Sequence, residues 1–406
     1  VAQTDRTVYF LSRHKEHAEA GLLRAIEQAR SDSIARNVVC ADYGAMIERA
    51  VGESDWVIEC VSEDPAVKKT VLDAVERLRR PDTVVSSTTS SLPLRLMCEG
   101  RSDSFRSHFM GIHFFNPPSK LTACEVAGHD GTDAGVLSRM IEFLSKCLSR
   151  EVVEVRDTPG YAGNRIAFLV MCNVARAAAE KGVAVMDYLI GPYTGRAMAP
   201  LATLDLVGLD IFRAIVGNIA RYTSGPMHAS FTVPDYVNKM IARGFLGNKT
   251  PECGGFYMRI QDEDEPMVVD PSTLHHQRAR RPHVDFVEEA VGRIRLGLYR
   301  EAFDVIRRAR VPEADTVRKV LAAYVAHACH CIGDVSPVET GLDSIDRVMA
   351  HGFRWAPPSV VLDLLGGREE VQDLLARYDI PVPAQLAALS PVSFSLSAFG
   401  QYFVAR

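Results

Sequence analysis

The run GIHFFNPPSKLTACEV, residues 111–126, sets His113 among apolar residues, follows it with aromatics and an Asn-Pro turn, and places Glu125 inside a second apolar run. Imidazole exchanges protons near neutral pH, and a neighbouring carboxylate fixes its tautomer and stabilises the imidazolium. Glu125 can reach back across the turn, which would make the two a base with its orienting acid. A single histidine in an apolar strand is also the pattern of a satisfied core residue. A second cluster, HACHC at 327–331, puts His327 and Cys331 one helical turn apart, and both are zinc-ligand types. It has no second ligand pair at the usual spacing and lies on an apolar helical pattern, so no metal site is expected.

Elements able to position such residues follow from the hydrophobic rhythm. Over residues 1–157, short β-branched runs (TVYFL, DWVIECV, TVVSST) alternate with helical patterns (AEAGLLRAIEQAR, AVKKTVLDAVERL), which predicts βαβ units and a parallel sheet. From Thr158 the pattern turns helical, opening with a Thr-Pro start in DTPGYAGNRIAFLVMCNVARAAAEKG. APLATLDLVGLD (199–210) matches PPSVVLDLLGGR (357–368), with Pro200, Leu204, Asp205 and Gly208 on Pro358, Leu362, Asp363 and Gly366, and Asp187 and Asp346 at nearly the same offset. Two copies of one small helical domain are therefore expected, 158–260 and 284–406, joined by a charged, proline-containing linker at 261–283.

The 406 residues suit two or three domains, and 47% hydrophobic with 24% charged residues is ordinary globular composition. Apolar runs are too short to span a bilayer, so no membrane anchor is expected. A net charge of −5 with mixed signs provides no basic stripe for nucleic acid, which points to a small-molecule substrate. Nine scattered cysteines without C-x-x-C pairs fit reduced thiols and a cytoplasmic protein.

SSTTSSLPL before the histidine stretch, then DTPGYAGNRI, DLVGLD and GFLGNKTPECGGFY after it, make the chain resemble the 3-hydroxyacyl-CoA dehydrogenase family along nearly its whole length. The resemblance implies an α/β Rossmann-type dinucleotide-binding domain over 1–157 followed by tandem all-α domains. It implies an oxidoreductase of fatty acid β-oxidation that interconverts an L-3-hydroxyacyl thioester, on CoA or an acyl carrier, and the 3-ketoacyl thioester. His113 falls on the family's catalytic base, Glu125 on the acid that orients it, and Ser90 and Asn164 on the polar groups that hold substrate near the nicotinamide. Chemistry agrees: hydride leaving a secondary alcohol requires a base for the hydroxyl proton, and the carbonyls require donors. Ser90 could otherwise cap a helix, and Asn164 could cap or bridge a junction. Glu63 and Lys68, in ECVSEDPAVKK, fall on residues lining the nicotinamide end of the cofactor cleft; the alternative is a solvated helix start with Lys68 exposed. Asn116 is a further candidate for touching substrate or nicotinamide ribose, or is turn chemistry before proline.

The chain departs from the family twice. It contains no G-x-G-x-x-G, the loop that lets a pyrophosphate approach a helix N-terminus. AQTDRTVYFLSRHKE corresponds to the end of the first helix and the second strand, so the first strand and its loop are expected upstream of Val1. At the end of that second strand, where an acid usually holds the ribose hydroxyls, stand Ser12 and Arg13. Cationic groups there would favour a 2′-phosphate, the alternative being a surface turn whose cations serve solubility, so the cofactor is expected to be NAD or NADP. The second helical copy has no counterpart of Asn164, and is expected to be non-catalytic and to fill a dimer partner's place, leaving a monomer or a homodimer. Alternatives to the leading activity are a dehydrogenase of another hydroxy acid, or a non-catalytic binding protein that kept the fold.

Overall fold

The computed structural model describes residues 1–4, 6–260, 265–278, 281–389 and 401–403. The chain divides into two compact units, Val1–Asp157 and Thr158–Arg406.

In the first unit the apolar runs form strands β1 (Val8–Ser12), β2 (Val38–Asp42), β3 (Trp56–Glu59), β4 (Val84–Ser87), β5 (Phe109–Phe114), β6 (Ala123–Gly128) and β7 (Glu151–Arg156). Helices α1 (Lys15–Ala29), α2 (Tyr43–Glu53), α3 (Pro65–Leu78), α4 (Leu94–Cys98), α5 (Asp103–Ser107) and α6 (Ala134–Lys146) lie between them. Aspartates start three of these helices: Asp42, Asp64 and Asp133 accept backbone N–H groups of α2, α3 and α6, satisfying donors that the first turn leaves without partners. β1 pairs in parallel with β2, and a five-stranded sheet runs β3-β4-β5-β6-β7.

This is the Rossmann-like, parallel-dominated architecture expected, with one exception. β5 and β6 are antiparallel, while β3–β4, β4–β5 and β6–β7 are parallel. The connection 115–122 is shorter than the dozen or so residues that a parallel crossover requires, so the chain returns on itself. Met110, Ile112, Cys124, Val126, Val136, Met140 and Leu144 pack sheet against α6 in one buried cluster. Among the described residues, β1 pairs only with β2 and β3 only with β4. Residues of β1 and β3 line one cavity of about 1160 Å³, bounded by apolar side chains such as Val51, Val71, Met140 and Phe143. The last residues of both strands, Ser12 and Glu59, also line it.

The second unit is helical: α7 (Gly163–Lys181), α8 (Val183–Leu189), α9 (Pro200–Val207), α10 (Leu209–Tyr222) and α11 (Asp235–Ala242), then α12 (Asp285–Arg295), α13 (Tyr299–Arg308), α14 (Pro312–Cys331), α15 (Asp343–Val348), α16 (Pro358–Leu364), α17 (Arg368–Arg377) and α18 (Ala384–Ala388). The stretch 261–283, read as a linker, is more ordered than its composition suggested. It carries β9 (Met267–Val269) and β10 (His276–Arg278), which join β8 (Tyr257–Met258) in a small antiparallel sheet. Of that stretch, residues 261–264 and 279–280 lie outside the described residues.

The internal repeat has a physical counterpart. Asp187 accepts the N–H groups of Leu201 (2.8 Å) and Ala202 (2.9 Å) at the start of α9. Asp346 accepts that of Ser359 (3.1 Å) at the start of α16. Proline opens both helices, where its missing N–H costs nothing. The segments ahead of them cross: Arg196 bridges antiparallel to Trp355, Ala197 N donates to the Arg354 carbonyl (3.2 Å) and Ala356 N to that of Gly195 (2.7 Å).

DLVGLD and GFLGNKTPECGGFY prove to be one packing unit. The Asp205 carboxylate accepts the N–H groups of Phe256 and Tyr257, both at 2.8 Å. A Cβ at Gly255 would lie 2.0 Å from Asp205 Oδ1, and one at Gly247, whose φ is +92°, would lie 2.3 Å from the Asp205 carbonyl oxygen. We predict that Gly255→Ala lowers unfolding stability by about 2–4 kcal/mol, because the carboxylate must leave one buried and one part-buried backbone donor. Gly217→Ala, inside α10 with no atom within 4 Å of its Cβ position, should be neutral or stabilising by up to about 1 kcal/mol. Urea unfolding of both variants checks the contrast; equal effects would show that the Asp205 clasp contributes nothing.

Candidate functional site

The antiparallel pairing sets His113 directly opposite Glu125 in register. Directly opposed residues project to the same face of a sheet. His113 Nδ1 and Glu125 Oε2 are accordingly 2.7 Å apart, with the Glu125 side chain fully buried and that of His113 13% exposed. The Phe115 ring packs edge-on to the imidazole, centroids 4.7 Å apart. A carboxylate at Nδ1 places the ring proton there and leaves Nε2 as the basic nitrogen. The pair therefore has the geometry of a general base with its orienting acid.

Lys68 is not the exposed residue of a solvated helix start: its side chain is fully buried. The start of α3 is capped by Asp64 instead, through Ala66 and Val67 N–H. Lys68 Nζ reaches both oxygens of Glu59 at 3.0 and 3.1 Å and Glu63 Oε2 at 3.3 Å. Glu59 also accepts the Val61 N–H (2.7 Å) and the Ser87 hydroxyl (2.5 Å). Glu63 accepts the hydroxyls of Thr89 and Ser91. Burial pushes the Glu63 carboxyl up, but the Lys68 charge and these hydrogen bonds outweigh it and hold the group below the usual range. Glu59, Ser87, Thr89 and Ser91 were not singled out from sequence. The signal available was the spacing of Glu59, Glu63 and Lys68 across a strand end and a helix start, with hydroxyls clustered at the end of the next strand.

Ser90 is 9% exposed in the loop after β4, beside Thr89 and Ser91 of that network. It is not the cap of α4: the Asp157 carboxylate accepts the N–H groups of Leu94 (2.8 Å) and Arg95 (3.2 Å). Asn116 lies in the turn after β5, before Pro117. Ser12 and Arg13 stand at the carboxyl end of β1 and line the cavity shared with β3, and Ser12 is in register with Asp42 of β2. The Asp42 carboxylate is engaged at the start of α2 by the Ala45 N–H (2.8 Å). Carboxyl ends of strands flanking a crevice are where open α/β sheets hold dinucleotides.

In the second unit, Asn164 lies inside the first turn of α7, 6% exposed. The cap position is Ala162, so Asn164 is not the cap. His327 is buried on α14, its Nε2 3.2 Å from the Arg165 carbonyl oxygen and 3.7 Å from Cys331 Sγ. Burial and the Arg165 charge push its pKa down to about 3, so the ring is neutral and donates to the carbonyl.

Comparison with known proteins gives a consistent result. A family model described as the NAD binding domain of 3-hydroxyacyl-CoA dehydrogenase matches residues 1–158, and one described as its C-terminal domain matches residues 160–258. A probable 3-hydroxyacyl-CoA dehydrogenase of Deinococcus radiodurans is 34% identical over 257 residues, covering 61% of this chain and 72% of the relative. One of Bacillus subtilis is 29% identical over 332 residues, covering 79% of this chain but only 40% of the relative. The crystal structure of 3-hydroxybutyryl-CoA dehydrogenase from Escherichia coli K12 shares the fold, with a TM-score of 0.65 at 17% identity over 97% of this chain and 93% of that one. No helix among the described residues is long and apolar enough to cross a membrane.

The buried cluster generates its own test. Lys68→Met would leave the Glu59 and Glu63 carboxylates without their shared cation, a loss we predict to cost about 3–5 kcal/mol. The double variant Glu59→Gln/Lys68→Met should regain part of it, since one uncompensated charge is removed as well. Urea unfolding of the two proteins reads both values, and a Lys68→Met protein as stable as the parent would show that water reaches these carboxylates.

Proposed function

The chain belongs to the 3-hydroxyacyl-CoA dehydrogenase family, and we propose that it interconverts an L-3-hydroxyacyl thioester and the corresponding 3-ketoacyl thioester with His113 as general acid/base. The observation that supports this most directly is the 2.7 Å contact between His113 Nδ1 and the buried Glu125 carboxylate. In the oxidative direction His113 Nε2 takes the proton of the C3 hydroxyl, and Glu125 stabilises the imidazolium so formed. The charge is created beside a fixed anion in a largely dry setting, where such an interaction is stronger than in water. A nicotinamide dinucleotide supplies the hydride acceptor. In reduction the imidazolium returns the proton to the carbonyl oxygen.

The residues present suit two parts of a dinucleotide. Glu63, held by Lys68, Thr89 and Ser91, and the adjoining Ser90 suit the nicotinamide end. Ser12 and Arg13 suit the adenosine ribose, and the Arg13 cation supports acceptance of NADP beside NAD. The pyrophosphate has no glycine-rich loop within residues 1–406. Asn116, in the turn after His113, is assigned to the substrate or the nicotinamide ribose. Asn164 of the second unit is assigned a side-chain amide donor to a substrate carbonyl, a role suited to its buried place in a helix turn.

His113→Gln should reduce kcat on a 3-hydroxybutyryl thioester by a factor of about 10² to 10⁴ while cofactor binding is kept, because the base acts in the transition state. Glu125→Gln should reduce kcat less. Steady-state assays of both variants decide, and retention of kcat by the His113 variant would return the pair to a structural role.

Arg13→Ala should weaken NADP by roughly tenfold to a hundredfold, the loss of one charge-assisted hydrogen bond, and leave NAD unchanged. kcat/KM with each cofactor reads this. A strong NAD preference untouched by the substitution would show that Arg13 faces solvent.

A further inference from the structure

The turn that carries Asn164 is held locally by backbone bonds, Tyr161 N to the Thr158 carbonyl (3.0 Å) and Arg165 N to that of Gly160 (3.1 Å), and also by contacts from far along the chain. Its cap residue, Ala162, has helical dihedrals and offers no side-chain acceptor. The preceding Tyr161 is held at φ +43°, a left-handed conformation outside glycine's freedom. A residue in that region costs on the order of 1–3 kcal/mol and persists only where its surroundings over-determine it. Arg165, the residue next to Asn164, is one of the groups that tie this turn down. Its side chain is 4% exposed. Nε donates to the Pro159 carbonyl at 3.0 Å, fastening the loop before the helix. Nη2 donates to Asp334 Oδ2 at 2.8 Å. Its own carbonyl accepts from His327 Nε2 at 3.2 Å.

Asp334 and His327 both belong to the second helical copy, 169 and 162 residues away in sequence. The Phe231 ring packs edge-on to the His327 imidazole, centroids 5.6 Å apart, which fixes the ring plane. His327 Nδ1 has no hydrogen-bond partner among the described residues. The ring therefore spends a buried acceptor to make one bond to the α7 backbone, an arrangement that costs stability unless that bond matters.

We propose that Asp334 and His327 are positioning residues, through which the second copy clamps the first turn of α7 and sets the Asn164 side chain for the reaction. The HACHC cluster is thereby read as a clamp rather than a metal site. The proposal rests on the assignment of Asn164 to substrate.

The test uses the full chain with Asp334→Ala, Asp334→Glu and His327→Leu, and Asn164→Ala as the reference for loss of the amide. Asp334→Ala and His327→Leu should each lower kcat on a 3-hydroxybutyryl thioester by about tenfold to a hundredfold, the scale on which misplacement of about 1 Å acts. KM for the nicotinamide cofactor should stay within about twofold, and Asp334→Glu should restore most of the rate. Neither loss should add to that of Asn164→Ala in a double variant, since both act through one side chain. Amide hydrogen exchange over residues 160–166 should accelerate in the two clamp variants and stay unchanged over 171–181. Unchanged kcat, additive losses, or a rate loss matched by an equal fall in folded fraction would overturn the proposal. If the parent protein shows no turnover, the functional reading fails, and unchanged exchange at 160–166 would still overturn the clamp by itself.

Discussion

An imidazole and a carboxylate can act as one proton-handling unit only when their separation is held at hydrogen-bond length without help from solvent. The antiparallel pairing of β5 with β6 provides that. It puts His113 and Glu125 at a directly opposed position, so backbone ladder bonds, rather than side-chain rotamers alone, set the distance. A parallel partner strand would have required a long crossover, with register set by distant packing. β6 then pairs with β7 in parallel, which shuts Glu125 into a strand with sheet neighbours on both sides. Its charge has no water to turn to, and the His113 ring nitrogen answers it.

The second buried charge group follows the same rule by different means. Glu59 ends β3, Lys68 lies on the first turns of α3, and Ser87 ends β4. The strand-to-helix turn folds cation against anion at 3.0 Å, and the hydroxyls of Ser87, Thr89 and Ser91 supply the remaining donors. Two carboxylates on one ammonium, Glu59 fully buried and Glu63 partly so, call for a dense set of donors. That cluster lies at the carboxyl end of the sheet, so the apparatus that orders the strand ends also sets the electrostatics there.

In the second unit the two segments that the sequence pairs as a repeat share their helix starts but not Asn164. Aspartates reading helix N-termini recur in both copies, at Asp187 and Asp346, because the helix packing needs them in each. Asn164 has no such recurrence. Two polar residues after the small sheet engage α7 instead: Asp334 accepts from the Arg165 guanidinium, and His327 donates to the Arg165 carbonyl. α7 and α14 are buried along nearly their whole lengths, so a small shift of either is felt by the other.

Sequence alone determined the alternation of strands and helices over the first unit, the helical character after Thr158, the recurring aspartate and proline at the starts of α9 and α16, and the pairing of a histidine with a glutamate as candidates. These are properties of local periodicity and of residue chemistry, and both are written in the order of side chains. It also held the resemblance of DTPGYAGNRI, DLVGLD and GFLGNKTPECGGFY to one family. Tertiary structure decided the rest. The reversal at β6 could not be read, because a strand's own pattern does not state its direction relative to a neighbour. The burial of Lys68 could not be read either, since a lysine near a helix start looks solvated until the strand ends folded over it are known. The stretch 261–283 looked like a linker because β9 and β10 are too short to show an alternation. His327 looked like a zinc ligand or a core residue, and only the approach of the Arg165 carbonyl, 162 residues distant, gave its ring a partner. Periodicity speaks for contacts a few residues apart; burial and charge pairing depend on contacts across the chain, which folding alone brings together.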